Sequence, residues 1–227
     1  MKIAEFIYSI NKFSEKNKDE IENLSKGQHP NITLVTCSDS RLNAIDNISG
    51  LGKVFTIREM GSIINDSSIA SIEYSVIIDV KKIIFLSHTN CGAIKGAFSL
   101  LDKKNNNEKS EISKSKELKE FLVTNIINPL NLHYNDNLDN AIIKNEEIQV
   151  LKLLNKSQLI KDKLKNNEIE IIAMQYSTEN GKIQHQQNCI YNKNNNKFDF
   201  ISRMEYESMV AAKRMFEKKQ GLEKLKG

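Results

Sequence analysis

The sequence predicts an α/β fold: a central, mainly parallel β-sheet whose strand order begins 2-1-3, flanked by helices. Three observations predict it. Short apolar runs bounded by turn residues recur along the chain, as strands buried on both faces do. Segments with apolar residues at helical spacing alternate with these runs, the pattern of a parallel sheet with crossover helices. The two densest clusters of reactive side chains each follow such a run, and open parallel sheets bind ligands beyond their strand ends, where the strand order reverses.

The elements follow in order. Met1 to Lys16 interrupts its apolar residues with Glu5, Ser9, Asn11 and Lys12, which breaks any secretory apolar core and reads as an amphipathic helix. Ser25 to Pro30 is a loop, and Ile32-Thr33-Leu34-Val35-Thr36 is a short buried strand. A second strand spans Lys53 to Ile57 after the Gly50-Leu51-Gly52 turn, and a helix runs from about Ser67 to Ile78 with Ile69, Ile72, Val76 and Ile77 on one stripe. The third strand is Lys82 to Ser87, followed by a helix starting near Cys91. Residues 102–120 are polar and mixed in charge, which suits a surface insertion. A helix from Glu146 to Leu154, a strand from Glu168 to Met174, a turn at Glu179-Asn180-Gly181, an edge strand and a C-terminal helix from Ser202 to Lys219 complete the chain. At roughly 150 residues per domain, the 227 residues suit a single domain. Its parts are an N-terminal helical arm (1–27), a core (28–185) with a variable insertion at 102–145, and a C-terminal extension (186–227).

Composition narrows the function classes. Apolar residues make up 39% and charged residues 27%, as in a soluble globular protein, and no apolar run approaches the roughly 20 residues of a membrane span. The net charge of +4 is small, with +3 of it in residues 203–227, and the mixed surface lacks the concentrated basic stripe that nucleic acid binding calls for. Three cysteines, Cys37, Cys91 and Cys189, are too few for a disulfide scaffold. With no secretory segment expected, the chain is placed in the cytoplasm, where cysteines serve as metal ligands or reactive groups.

The chemistry gathers in two clusters. Cys37-Ser38-Asp39-Ser40-Arg41 follows the first strand and His88-Thr89-Asn90-Cys91 follows the third. With order 2-1-3 these strands are neighbours, so Cys37, Asp39, His88 and Cys91 converge on one crevice. Two thiolates and an imidazole form a ligand set of catalytic zinc, whose fourth position is left to water. In an extended segment Cys37, Asp39 and Arg41 share a face. Arg41 then keeps Asp39 ionised and holds it by charge-assisted hydrogen bonds. A helix N-terminus at Cys91 favours its thiolate.

These two motifs resemble the signatures of the β-class carbonic anhydrases, in the same order and at a similar separation. Gln28, nine positions before Cys37, resembles that family's substrate-pocket glutamine; Phe55 with Arg58 resembles its Phe-x-x-Arg-Asn segment, and Ser71-Ile72-Glu73-Tyr74 its Ser-Leu-Glu-Tyr helix. The resemblance covers residues 25–185. It implies a zinc enzyme, with one Zn²⁺ per chain, that interconverts carbon dioxide and bicarbonate through zinc-bound hydroxide. Asp39 would orient the hydroxide and Arg41 would hold Asp39 off the metal. Gln28 and the backbone N–H of Gly92 would bind substrate oxygens, with Phe55 and Tyr74 walling the pocket. In the family the glutamine and the aromatics come from a second subunit, so a homodimer or larger homo-oligomer is implied. Four departures stand out: Glu59 replaces the asparagine after Arg58, Met60 replaces a smaller apolar pocket residue, Ser87 replaces a glycine, and there is no tryptophan. Glu59 and Met60 keep two alternatives open: a hydrolase of carbonyl sulfide or carbon disulfide on the same scaffold, and a zinc-binding homologue with little turnover.

Overall fold

A computed structural model describes residues 1–42, 50–102 and 111–212. Helix α1 (Ile3–Lys16) and helix α2 (Lys18–Leu24) lead into β1 (Ile32–Cys37), β2 (Val54–Glu59), α3 (Asp66–Ile77), β3 (Lys82–His88) and α4 (Gly92–Leu101). Then come α5 (Lys116–Leu122), α6 (Leu138–Lys156), α7 (Gln158–Lys165), β4 (Glu170–Tyr176), β5 (Ile183–Asn192), β6 (Lys197–Ser202) and a last described helix at 203–212. The predicted C-terminal helix to Lys219 therefore lies partly outside the described residues.

The six strands form one sheet in the order β2-β1-β3-β4-β5-β6. Strands β1 to β4 run parallel, and β5 and β6 add an antiparallel edge. The predicted opening 2-1-3 is what the sheet has. One face carries Val35, Ile57, Ile83, Phe85 and Ile171 against α3, α6 and α7, and all five are buried. Helix α3 begins where Asn65 caps it, its side chain accepting the Ser68 backbone N–H at 3.0 Å. The last helix begins on a capping box: Ser202 Oγ accepts the Glu205 N–H at 3.3 Å, and Glu205 accepts the Ser202 N–H at 2.8 Å.

A second core lies over the strand ends. Leu42, Ile94, Ala97, Leu122, Ile126 and Ile142 pack there with Cys37 and Cys91. Within the expected surface segment no residue of 111–120 is buried, and the buried cover begins just beyond it. Leu122 and Ile126 are fully buried and Leu118 and Phe121 pack on the same cluster, so the segment after residue 110 is amphipathic cover for the site; residues 103–110 lie outside the described residues. Helix α6 starts at Leu138, eight residues before Glu146 (146 − 138 = 8), because the Asn137 side chain caps it by accepting the Asn140 N–H at 3.0 Å. Strand β4 spans 170–176, two residues later than expected, because 166–169 form a turn after α7.

Helix α1 contrasts with the rest. None of its residues is buried, and Phe6, Ile7, Ile10 and Phe13 make an exposed apolar stripe along one side. No helix among the described residues is long and apolar enough to cross a membrane.

Candidate metal centre

Strands β1 and β3 are neighbours in register, Thr36 opposite Leu86, so their final residues Cys37 and His88 come together at the sheet's crest. Cys91 is the N-cap residue of α4, placed there by the tight turn through Asn90, whose backbone is left-handed at φ 58°. The ligand atoms of Cys37, His88 and Cys91 all lie within 4.8 Å of one another, and all three residues are buried. No other group of three such donors occurs among the described residues.

His88 Nδ1 stands 2.9 Å from the Thr89 carbonyl oxygen, which makes Nδ1 the protonated nitrogen and Nε2 the lone pair. Nε2 is buried and has no hydrogen-bond partner. An orphaned lone pair beside two buried thiols is costly in a protein interior, and a soft divalent cation satisfies all three at once. The donor set fits zinc.

The thiols share a proton unequally. A hydrogen bond from Cys91, with further help from the backbone N–H groups of Asp39 and Gly61, lowers the Cys37 thiol against the cost of burial. The Cys37 thiolate and burial push the Cys91 thiol up, while the N–H groups of Ile94 and Ala93 at the start of α4 pull it down. Gly61 reaches Cys37 because its backbone is left-handed at φ 65° and because it lacks a Cβ, which would stand 2.9 Å from that of Ala93. Asn145 of α6 donates to the Gly61 carbonyl at 3.0 Å, and Arg58 donates to the carbonyls of Cys37 at 3.0 Å and Leu42 at 3.1 Å. Both brace the ligand loop.

Asp39 and Arg41 pair in two places: Nε donates to Oδ1 at 2.9 Å and Nη2 to Oδ2 at 2.7 Å. The Arg41 backbone N–H also donates to Oδ1, at 3.0 Å. The guanidinium holds the Asp39 carboxyl well below the usual carboxylate range. Asp39 Oδ2 lies 3.8 Å from His88 Nε2, at the edge of the ligand set. The reason for this proximity differs from the expected extended alternation. The strand stops at Cys37, and Ser40–Leu42 form a 3₁₀ turn in which Leu42 N–H donates to the Asp39 carbonyl at 3.1 Å. The turn, not a pleat, sets Arg41 against Asp39.

The turn after β4 grips the same place. Glu179 accepts from Thr89 at 2.6 Å, from Ser177 at 2.9 Å and from Asn90, and Arg41 reaches Thr178 Oγ1 and the Asn90 carbonyl, both at 3.4 Å. Sequence reasoning missed Glu179, Thr178, Asn145 and Glu146, none of which belongs to the two clusters. Glu146 alone carried a signal: it is an acid in the apolar stripe of α6 with Ile142, Val150 and Leu153.

Other predicted residues fall elsewhere. Gly92, the first residue of α4, is exposed beside Cys91, and Met60 packs on the cluster that holds Cys37 and Cys91. Gln28 sits on an exposed loop before β1. Phe55 precedes Glu59, the partner of Cys37, by four strand residues, about 13 Å along β2. It contacts Tyr74 with ring centroids 6.1 Å apart, and Tyr74 is 48% exposed. Within one chain, then, Gln28, Phe55 and Tyr74 stand away from the trio. Glu59 turns away from it as well: its carboxylate accepts from Asn65 at 3.1 Å and from Ser68 at 3.0 Å at the start of α3.

A mainly parallel sheet with a Cys₂His trio at its crest and a clamped carboxylate beside it makes a candidate soft-metal centre in an α/β protein. The family model described as carbonic anhydrase matches residues 32–183. The chain therefore belongs to that family, in its β class. A carbonic anhydrase of Synechococcus elongatus is 37% identical over 92 residues, which cover 37% of this chain and 34% of that protein. The stretches matched in the first three curated relatives span 34%, 39% and 39% of their lengths. The solved β-carbonic anhydrase CcaA is 27% identical with a TM-score of 0.60, covering 88% of this chain and 93% of that one. One of the two tetrameric β-carbonic anhydrases solved from Sordaria macrospora shares the fold at 22% identity, a TM-score of 0.56, and 80% and 93% coverage.

Proposed function

We propose that the chain catalyses the reversible hydration of carbon dioxide to bicarbonate and a proton, with one zinc ion held by Cys37, His88 and Cys91. The observation that carries this reading is the buried trio, His88 Nε2 unpartnered, beside an Asp39 whose two oxygens are both taken by Arg41. Zinc, when bound, lowers the pKa of a coordinated water towards neutrality and supplies hydroxide near pH 7.

The chain's own residues do the rest. Cys37, His88 and Cys91 would hold the ion by three donors, which would leave room for a small oxygen ligand. Asp39, clamped and ionised 3.8 Å from His88 Nε2, would accept a hydrogen bond from an O–H there. Gly92, at a helix start, has a backbone N–H with no intrahelical acceptor and directs it to a substrate oxygen. Met60 keeps one wall apolar, which suits a linear, nonpolar substrate.

Gln28, Phe55 and Tyr74 complete the pocket from a second copy of the chain. Their distance from their own trio, the exposed Tyr74 ring on a half-buried Phe55 and the outward apolar stripe of α1 support a homodimer or larger assembly, as does the fold shared with a tetrameric neighbour. Thiolate ligands suit a reducing compartment, and the cytoplasm is the proposed location. Replacing Phe6 and Phe13 together by aspartate is expected to shift the protein to monomer in sedimentation velocity and to abolish most hydration. A double variant that remains assembled and active contradicts the assignment of α1 to the interface.

The test of function is stopped-flow CO₂ hydration by the zinc-loaded protein across about pH 6 to pH 9, with carbonyl sulfide in parallel. Hydration that rises with pH is expected. Turnover of carbonyl sulfide alone selects the related hydrolase, and turnover of neither selects a zinc-binding homologue.

A further inference from the structure

Glu146 is 1% exposed, and it faces Ser87 and the backbone of Met174. Its Oε1 accepts the Ser87 backbone N–H at 2.7 Å and its Oε2 lies 3.2 Å from the Ser87 hydroxyl oxygen, which also lies 3.2 Å from the Met174 carbonyl. The β1–β3 register ends at Thr36 opposite Leu86, and the next N–H on β3, that of Ser87, goes to this acid. Ser87 immediately precedes the ligand His88. On the other side of His88 the chain is already tied, because Thr89 N–H donates to the Tyr176 carbonyl at 2.9 Å and His88 Nδ1 donates to Thr89. Before His88 the chain is held to β4 by the Ser87–Gln175 register, while on the β1 side the Ser87 N–H has Glu146 as its acceptor.

Burial pushes the Glu146 acid well above the ordinary carboxylate range, and Glu147 adds to that. A neutral carboxyl satisfies every partner present. It accepts the Ser87 N–H and donates to Ser87 Oγ, which passes its own hydrogen to Met174 O. A glutamine can make the same two contacts.

We propose that Glu146, acting through Ser87, is a positioning residue that sets the end of β3 and aims His88 Nε2 at Cys37 and Cys91. The inference rests on the zinc reading of that trio and adds a residue of α6 to its support. Outer contacts that orient metal-binding histidines change affinity by about 10–100-fold when removed.

The experiment measures zinc affinity of the full chain by chelator competition, beside urea unfolding of the metal-free protein. Glu146→Leu is expected to weaken zinc binding about 10–100-fold, and Glu146→Gln to stay within about threefold of the parent. If Glu146→Leu does not fold, Glu146→Asp, which withdraws the acid from Ser87 by one methylene, is expected to show the same loss. Parent affinity in the folded Leu or Asp variant overturns the inference alone. So does a glutamine variant that loses as much as leucine, since charge rather than hydrogen bonding would then be at work. A loss of unfolding stability with unchanged zinc affinity also overturns it. A parent chain that takes up no zinc overturns the metal reading, and this inference with it.

Discussion

Cys91→Ser is expected to purify with almost no zinc, against about one equivalent in the parent. Cys91 holds its corner from the first turn of α4, where the backbone N–H groups of Ala93 and Ile94 favour a thiolate. Serine keeps the size of the side chain, so the second core around Ala97 and Ile94 stays packed. It offers only a hard, protonated hydroxyl, and the remaining two donors do not hold the ion. Metal analysis with circular dichroism checks both halves of the statement. A folded Cys91→Ser protein carrying a full equivalent of zinc removes Cys91 from the centre.

Arg41→Ala is expected to keep the metal and lose about 10–100-fold or more in CO₂ hydration. Arg41 makes both side-chain bonds that occupy Asp39, and Asp39 Oδ2 is already 3.8 Å from His88 Nε2. Once freed, the carboxylate is close enough to take the fourth corner. Arg41→Lys is expected to fall between, because an ammonium cannot match the two-point contact of a guanidinium. The pair also fixes a pH dependence. Asp39 is lowered in the folded chain, so its contribution to stability is complete above the ordinary carboxylate range and is lost as pH falls through the lowered value. Arg41→Ala moves that loss to higher pH in acid unfolding. An Arg41→Ala enzyme that hydrates CO₂ at the parent rate contradicts the role given to the clamp.

Much of this site is legible in the sequence because the ligands fall at strand ends. Ile32–Thr36 and Ile83–Leu86 announce buried strands, and the residues that follow them must meet at the crest once the strands are neighbours. Local chemistry is harder to read. The Asp39–Arg41 pairing is correct, but its cause is a 3₁₀ turn rather than alternation, since the strand ends at Cys37. Glu59 looks like a stray charge at the site and is instead bound to Asn65 and Ser68. The polar segment after residue 110 hides Leu122 and Ile126, whose spacing is diluted by lysines on the solvent side. Contacts over long separations, such as Glu146 with Ser87 and Glu179 with Thr89, leave no local pattern. They arise only when the sheet brings distant segments together.

X-ray absorption at the zinc edge of the purified, unmutated protein reads the centre most directly. Two sulfur neighbours at about 2.3 Å, one nitrogen at about 2.0–2.1 Å and a single additional light oxygen donor are expected. A shell of four sulfur and nitrogen ligands, or one without sulfur, contradicts a metal site open at one corner.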